Sequence, residues 1–118
     1  MSKKSNYITT NRSKHYLKCH LIFVCKYRKK LFIGQLNDDA KQIFQSIADG
    51  SDFDIEVMET DKDYVHFLIR YIPRLSIAQI VRRLKQKSTL QIWLLHPTIL
   101  RKQYWYKNML WSDGYFVC

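Results

Sequence analysis

The chain has 118 residues and a formal net charge of +10, and apolar side chains make up 47% of it. This length favours a single domain with its own core, and the apolar content excludes a disordered chain. No apolar run reaches the ~18 residues that a membrane-spanning helix needs, and the N-terminus lacks an apolar signal sequence, so we expect a cytoplasmic protein. The three cysteines have no metal-binding spacing and are interpreted as free thiols.

The predicted elements begin after a flexible, basic arm at residues 1–12. Residues 15–24 alternate between two faces and predict a first strand, which a basic loop at 25–30 follows. Asn37 is the predicted N-cap of a first helix, and Gly50 is its predicted end. Apolar residues at helical spacing between these two positions indicate a helix that packs on a core.

The second half of the chain predicts two strands, a helix and a last strand. A polar turn at residues 60–63 separates the first two strands, and Pro73 follows the second. Ser76 and Gln79 fit a capping box at the start of a helix that ends before Pro97. The predicted strands of this half are residues 53–57, 64–71 and 110–117, the last one regular or bulged.

The order strand, helix, strand, strand, helix, strand is typical of an α+β, ferredoxin-like or RRM-like βαββαβ fold. Such a fold has an antiparallel sheet with two helices on one face, so its other face can carry a site. In the predicted third strand, Val65 and Phe67 belong to an apolar face that the helices should cover. Tyr64 and His66 would then lie on the open face, where a histidine can ligate a metal, contact phosphate or simply face solvent.

Charge is distributed unevenly along the chain. Residues 1–36 contain nine Lys or Arg and no acid, residues 37–63 contain two bases and nine acids, and residues 64–118 contain nine bases and one acid. If the two basic segments meet on one face, that face attracts phosphate backbones and binds them in a salt-dependent way. A solvated basic surface without a partner is the alternative.

Four stretches resemble, in the right order, segments of the single-tyrosine transposases of the insertion-sequence 200/605 type. The segments they resemble are the HUH motif region, the basic loop after the first strand, the second helix and the final strand. The stretches are METDKDYVH (58–66), CKYRKK (25–30), SIAQIVRRLK (76–85) and WSDGYFV (111–117). The resemblance covers nearly all of residues 14–118 and implies the same βαββαβ fold for a domain spanning residues 13–118.

The resemblance also implies a function. Members of this family cut and rejoin single-stranded DNA at transposon ends, recognise a hairpin beside the cleavage site and act as homodimers. A His-hydrophobic-His motif holds Mg²⁺ or Mn²⁺, which polarises the scissile phosphate. A tyrosine on a following helix forms a covalent phosphotyrosine link. A cytoplasmic, prokaryotic protein is implied as well.

Two departures from the family pattern predict impaired catalysis. The motif reads Tyr64-Val65-His66, and a neutral phenol is a poor ligand for a hard divalent ion. His66 is then the remaining candidate metal ligand, and we expect weak binding of Mg²⁺ or Mn²⁺. The sequence ends at Cys118, before the helix that carries the family's nucleophile, and no tyrosine here matches that position. We therefore expect the chain to lack an identifiable catalytic residue.

DNA binding can survive both departures. Candidate contacts come from the basic loop and the second predicted helix: Lys26, Tyr27, Arg28, Lys29, Lys30, Arg82, Arg83, Lys85 and Lys87. Tyr27, Trp105 and Tyr106 can stack on unpaired bases or belong to the core. One alternative function is a binding-only relic that holds hairpin DNA or RNA and regulates or competes with a full-length transposase. An RRM-type RNA binder is another, although the RRM signature is not present.

Overall fold

A computed structural model describes residues 16–117. Its strands are β1 (Leu17–Val24), β2 (Phe53–Asp61), β3 (Tyr64–Tyr71) and β4 (Phe116–Val117), and its helices are α1 (Gly34–Asp49), α2 (Ile77–Leu95) and α3 (Pro97–Gln103). The predicted βαββαβ order is confirmed, with α3 as an additional short helix before β4. The predicted arm at residues 1–12 lies outside the described part of the chain.

The four strands form one antiparallel sheet in the order β2-β3-β1-β4. Strands β1 and β3 pair along their whole length, from Leu17 opposite Tyr71 to Val24 opposite Tyr64. Because side chains alternate along a strand, this register fixes which residues of the two strands share a face. Positions 20, 22, 64 and 66 lie on the same face of the sheet.

The core lies between the other face of the sheet and helices α1 and α2. Val65 and Phe67 of β3 are fully buried, as predicted, and so are Leu21 and Phe23 of β1. Phe44 of α1 packs edge-on against Phe67, with the ring centroids 4.9 Å apart. Within residues 16–117 the helices therefore cover one face only, and the face that carries Tyr64 and His66 is open.

Helix α1 begins earlier than the sequence predicts. Its N-cap is Ile33, so the prediction of Asn37 as the N-cap was wrong. Asn37 lies inside the first turns, where its side-chain oxygen accepts a hydrogen bond from the Thr60 hydroxyl at 2.6 Å. The asparagine thus serves a contact between α1 and β2 rather than a helix end. Gly50 ends the helix, as predicted.

Helix α2 has the predicted capping box. The Ser76 hydroxyl accepts a hydrogen bond from the Gln79 N–H at 3.1 Å, and the Gln79 side chain accepts one from the Ser76 N–H at 2.9 Å. The helix ends before Pro97, and Pro97 then begins α3, because proline is tolerated in the first turn of a helix. None of the helices within residues 16–117 is long and apolar enough to cross a membrane.

Two predicted bounds near the strands were wrong. Strand β2 continues to Asp61, so the turn before β3 is shorter than residues 60–63. Strand β4 contains only two residues, although residues 110–117 predicted a longer strand. Trp111 forms an isolated bridge with Cys25, and the chain leaves the sheet between this bridge and β4, where Gly114 has a φ of +77°.

Candidate nucleic-acid interface

A groove of about 550 Å³ lies on the open face of the sheet. Tyr64 and His66 line it from β3, and their cross-strand partners on β2 are Asp61 and Glu59, respectively. Arg28 reaches the same groove from the loop after β1. The groove therefore combines an imidazole, a phenol, a guanidinium and two carboxylates.

His66 contacts a second histidine, His20 of β1. The Nδ1 of His20 and the Nε2 of His66 are 2.8 Å apart, and the two rings stack with centroids 5.0 Å apart and planes inclined by 10°. One ring nitrogen donates its hydrogen to the other, and the tautomers decide which one donates. His20 lies on the open face because side chains alternate along β1, and the pairing register of β1 with β3 brings it beside His66.

The side chains around His66 do not fit the metal site that the family resemblance implies. Tyr64 presents a phenol in place of an imidazole, and the Nε2 of His66 is already engaged by His20. Among residues 16–117, no three His, Cys, Asp or Glu side chains converge on a position that could hold a metal ion. The carboxylates of Glu59 and Asp61 line the same groove, but they do not converge with His66 into such a group.

The basic loop after β1 forms a tight turn at the rim of the groove. Residues Lys26–Arg28 make a single 3-10 turn in which Tyr27 and Arg28 have φ angles of 60° and 53°. For residues other than glycine, this left-handed conformation costs about 1–3 kcal/mol of conformational free energy each. It persists only where surrounding contacts hold the backbone in place. Here the Lys26 N–H donates to the Leu110 carbonyl at 2.7 Å, and the Arg28 guanidinium donates to the Asp63 carboxylate at 2.9 Å.

Two buried groups fix this loop from below. The Tyr104 hydroxyl lies 2.9 Å from the Lys26 carbonyl and 3.2 Å from the Leu110 carbonyl. Burial raises the pKa of Tyr104 well above its usual range, so the phenol stays neutral and donates. Burial, assisted by the negative charge of Asp63, raises the pKa of Cys25 to about 12. The base of the loop is thus uncharged and held by hydrogen bonds.

The side chains of the loop are largely open to solvent. Tyr27, Arg28 and Lys30 are exposed, whereas Lys26 and Lys29 are half-buried. The sequence left open whether Tyr27, Trp105 and Tyr106 belong to the core. All three lie at the surface, with 55%, 77% and 67% of their area exposed.

The basic residues of α2 lie on a different surface. Arg82, Arg83 and Lys87 line a cleft beside the end of α1, and Arg83 donates to the Gly50 carbonyl at 3.2 Å. Lys85 donates to two carbonyls of the segment before β4, at 2.9 and 2.5 Å. Two of the four helix cations are therefore engaged by the protein's own backbone. The structure does not bring this set to the groove that Arg28 lines.

The family described as "Transposase IS200 like" matches residues 13–118 of this sequence. The chain belongs to this transposase family. It is 31% identical over 103 residues to the ISDra2 transposase TnpA of Deinococcus radiodurans, an alignment that covers 87% of this chain and 72% of that protein. It is 28% identical over 101 residues to the transposase for insertion sequence element IS200 of Salmonella typhimurium, covering 85% of this chain. The chain spans 64% of the length of that second relative.

Two solved structures share the fold. A crystal structure from Deinococcus radiodurans that is assigned as a transposase has a TM-score of 0.80 and 28% identity, and the match covers 88% of this chain and 78% of that one. A REP-associated tyrosine transposase bound to a REP hairpin has a TM-score of 0.62 and 10% identity, covering 89% of this chain and 58% of that one. The second likeness extends to the fold alone.

Proposed function

We propose that this chain binds a DNA hairpin together with the single strand beside it, as a transposase-family protein whose own strand cleavage is impaired. The observation that carries the proposal is the position of the basic loop at the rim of the open-face groove. There Arg28 reaches the groove that Tyr64 and His66 line. Loop cations would hold phosphates and so position the DNA without reading its sequence. Family membership supports DNA as the partner.

Impaired cleavage is proposed from the chemistry of the groove. In the family, two imidazoles hold the metal that polarises the scissile phosphate. Here Tyr64 replaces one imidazole, and His20 engages the other. A neutral phenol adds little affinity for a hard divalent ion, so Mg²⁺ or Mn²⁺ would bind weakly at His66. None of the described tyrosines is assigned as the nucleophile.

The same Tyr64 substitution favours a second function, which is regulation. A chain that binds a hairpin without cutting it would compete with an active transposase for the same DNA ends. The homodimer that the family resemblance implies would strengthen this competition, because two linked sites can hold two ends at once. Light scattering that shows a dimer with one hairpin bound per subunit would support this function. A monomer that binds one hairpin would show that linked sites do not strengthen the competition.

Binding is tested by titrating the protein into a labelled hairpin with single-stranded flanks and into a random single strand of equal length. We expect a preference for the hairpin and an affinity that falls steeply with salt, because bound phosphates release counterions. The double variant Arg28→Gln with Lys30→Gln should weaken binding about tenfold. It should also lower the slope of log affinity against log salt concentration by about two. The matched pair Arg82→Gln and Lys87→Gln removes two exposed charges from α2 and should weaken binding less. Equal affinity for hairpin and random strand would refute hairpin recognition.

Cleavage is tested separately with the same flanked hairpin and Mn²⁺. A denaturing gel separates a covalent protein–DNA adduct from free protein, whereas non-covalent binding does not survive it. We expect retained binding and no adduct. A Mn²⁺-dependent adduct formed by this sequence would contradict the proposed impairment while leaving the DNA-binding proposal intact.

A further inference from the structure

We propose that Tyr27 and Trp105 form a stacking platform for one unpaired base of the single strand beside the hairpin. This inference rests on the proposed DNA binding and adds a site to it, outside the groove that holds His66. The two rings adjoin each other, with centroids 6.1 Å apart and planes inclined by 32°. Because they already touch, a base would stack on the open face of Trp105, and Tyr27 would support the ring from behind.

The platform is anchored on one side and open on the other. The Tyr27 ring also contacts the buried ring of Tyr104, with centroids 6.3 Å apart, so the aromatic row runs from the core to the surface. Trp105 at its outer end is 77% exposed. Tryptophan has a large, flat, apolar surface, and burying this surface is favourable in free energy. In the unbound protein most of that burial free energy is not gained. A ligand with its own π-face would recover that energy.

The backbone of the loop is consistent with a built site. Tyr27 and Arg28 both adopt the left-handed conformation, which side-chain-bearing residues rarely occupy, and the hydrogen bonds of Lys26 hold them there. In this conformation the Tyr27 ring contacts the Trp105 ring, while the next residue, Arg28, lines the groove. Conformations of this kind cluster at ligand-binding positions because the strain they store is retained for function.

The charges around the rings select a nucleic acid rather than an apolar ligand. The Lys26 ammonium lies 5.7 Å from the centre of the Tyr27 ring, and Lys30 is exposed on the same loop. On the Trp105 side, Lys102 and Lys107 are exposed as well. Exposed aromatic faces interleaved with cations are the pattern by which proteins hold single strands, since every base has a π-face and every nucleotide a phosphate. The platform would therefore tolerate any base.

Position links the platform to the proposed site. Arg28 follows Tyr27 in the chain and lines the groove with Tyr64 and His66. A strand whose base stacks on Trp105 would pass Arg28 and continue into the groove. The platform would thus fix the unpaired nucleotides beside the hairpin relative to His66, which phosphate contacts alone do not do.

The test measures how tightly the 118-residue chain binds three oligonucleotides: a blunt hairpin, the same hairpin with an unpaired tail, and the tailed hairpin with abasic sites throughout the tail. We expect the tail to raise affinity about tenfold and the abasic tail to give no such gain, because base–aromatic stacking contributes by that order. Binding of the tailed hairpin should quench tryptophan fluorescence. Trp105→Phe should remove most of that quenching, whereas Trp93→Phe, a change at a tryptophan bonded to the Met109 carbonyl, should leave it.

Variants assign the gain to the ring pair. Trp105→Leu should abolish the gain in affinity from the tail, and Trp105→Phe should restore part of it. Tyr106→Leu, a change at a neighbouring aromatic residue of similar exposure, should keep the gain. Equal losses in Trp105→Leu and Tyr106→Leu, or a gain that survives the abasic tail, would overturn the platform. So would a larger gain from an RNA tail than from a DNA tail, because the ligand would then not be single-stranded DNA.

The failure of this inference can be told apart from failure of the proposed function. Wild-type protein that binds neither the blunt nor the tailed hairpin refutes DNA binding as a whole. Wild-type protein that binds both hairpins equally well refutes the platform and the contact with the adjoining single strand, and leaves hairpin binding intact. Neither comparison depends on a variant, so a folding defect in a variant does not affect the decision.

Discussion

Tyr64 is the residue on which the proposed loss of catalysis depends. It lies two positions from His66 on the same face of β3, so an imidazole in its place would point into the same groove. We expect Tyr64→His to raise the affinity for Mn²⁺ by about tenfold or more, since a nitrogen ligand replaces a neutral phenol. Isothermal titration or the loss of the free-Mn²⁺ paramagnetic signal measures this. Tyr115→His, which adds a histidine outside the groove lining, is the matched control.

The control variant and the histidine that pairs with His66 decide how the result for Tyr64→His is interpreted. A similar gain in Tyr115→His would mean that any added surface histidine binds the ion. No gain in Tyr64→His would indicate that His20 keeps the Nε2 of His66 from the metal. The double variant Tyr64→His with His20→Ala would then recover the affinity if the geometry of β3 is otherwise suitable.

Individual site residues differed in how far the sequence could predict them. The alternation of β3 was enough to place Tyr64 and His66 on the open face, because a strand has a period of two. The contact of His20 with His66 was not predictable, because these residues lie 46 positions apart in the chain and meet only through the pairing register of β1 with β3. Exposure of Tyr27 and Trp105 was also beyond the sequence, because aromatic residues are apolar enough for a core and polar enough for a surface.

At the scale of elements, the capping box of α2 allows a quantitative test. Replacing Ser76 by Ala removes the acceptor for the Gln79 N–H and should cost about 1 kcal/mol of unfolding free energy. Ser46→Ala is the control, because Ser46 is exposed within α1 and its substitution should change stability little. Urea unfolding should therefore show a lower midpoint for Ser76→Ala only. Equal midpoints for the two variants would mean that the cap contributes nothing.

The two long helices show why one helix start was predictable and the other was not. The signal for α2 is local, because both partners of the capping box lie within four residues. Around α1, the Asn37-Asp38-Asp39 stretch has the composition of a cap but makes tertiary contacts instead. The Asp39 carboxylate lies 2.7 Å from His96, and hydrogen bonds from Gln35 and His96 hold the pKa of Asp39 below its usual range. A polar cluster that serves another element gives the same sequence signal as a cap.

At the scale of the whole molecule, the buried junction under the basic loop sets how stability responds to alkali. Burial raises the pKa of Cys25 to about 12 from 9.0 and raises the pKa of Tyr104 as well. Above pH 9 the unfolded chain loses these protons first, so the native state binds more protons and the free energy of unfolding falls as pH rises. Each such group contributes a slope of up to about 1.4 kcal/mol per pH unit.

Replacing Tyr104 by Phe separates the two roles of this phenol. At pH 7 the variant leaves the Lys26 and Leu110 carbonyls without the hydroxyl donor, which should cost about 1–2 kcal/mol. Above pH 10 the wild type loses the free energy of unfolding that the neutral phenol contributes, whereas the variant has no such contribution. The difference in unfolding free energy between the two proteins should therefore narrow. Chemical unfolding at pH 7 and pH 11 measures both effects.

The neighbouring residue supplies the control, because Tyr106→Phe removes an exposed hydroxyl from the same segment. The free energy of unfolding of Tyr106→Phe should match that of the wild type at pH 7. A loss of stability equal to that of Tyr104→Phe would contradict the role given to the buried hydroxyl. The two variants also connect stability to binding. Since the Tyr104 hydroxyl holds the carbonyl of Lys26, the residue before Tyr27, Tyr104→Phe should weaken binding of the tailed hairpin more than binding of the blunt one. Equal weakening of both would mean that the loop affects phosphate contacts and not the stacking platform.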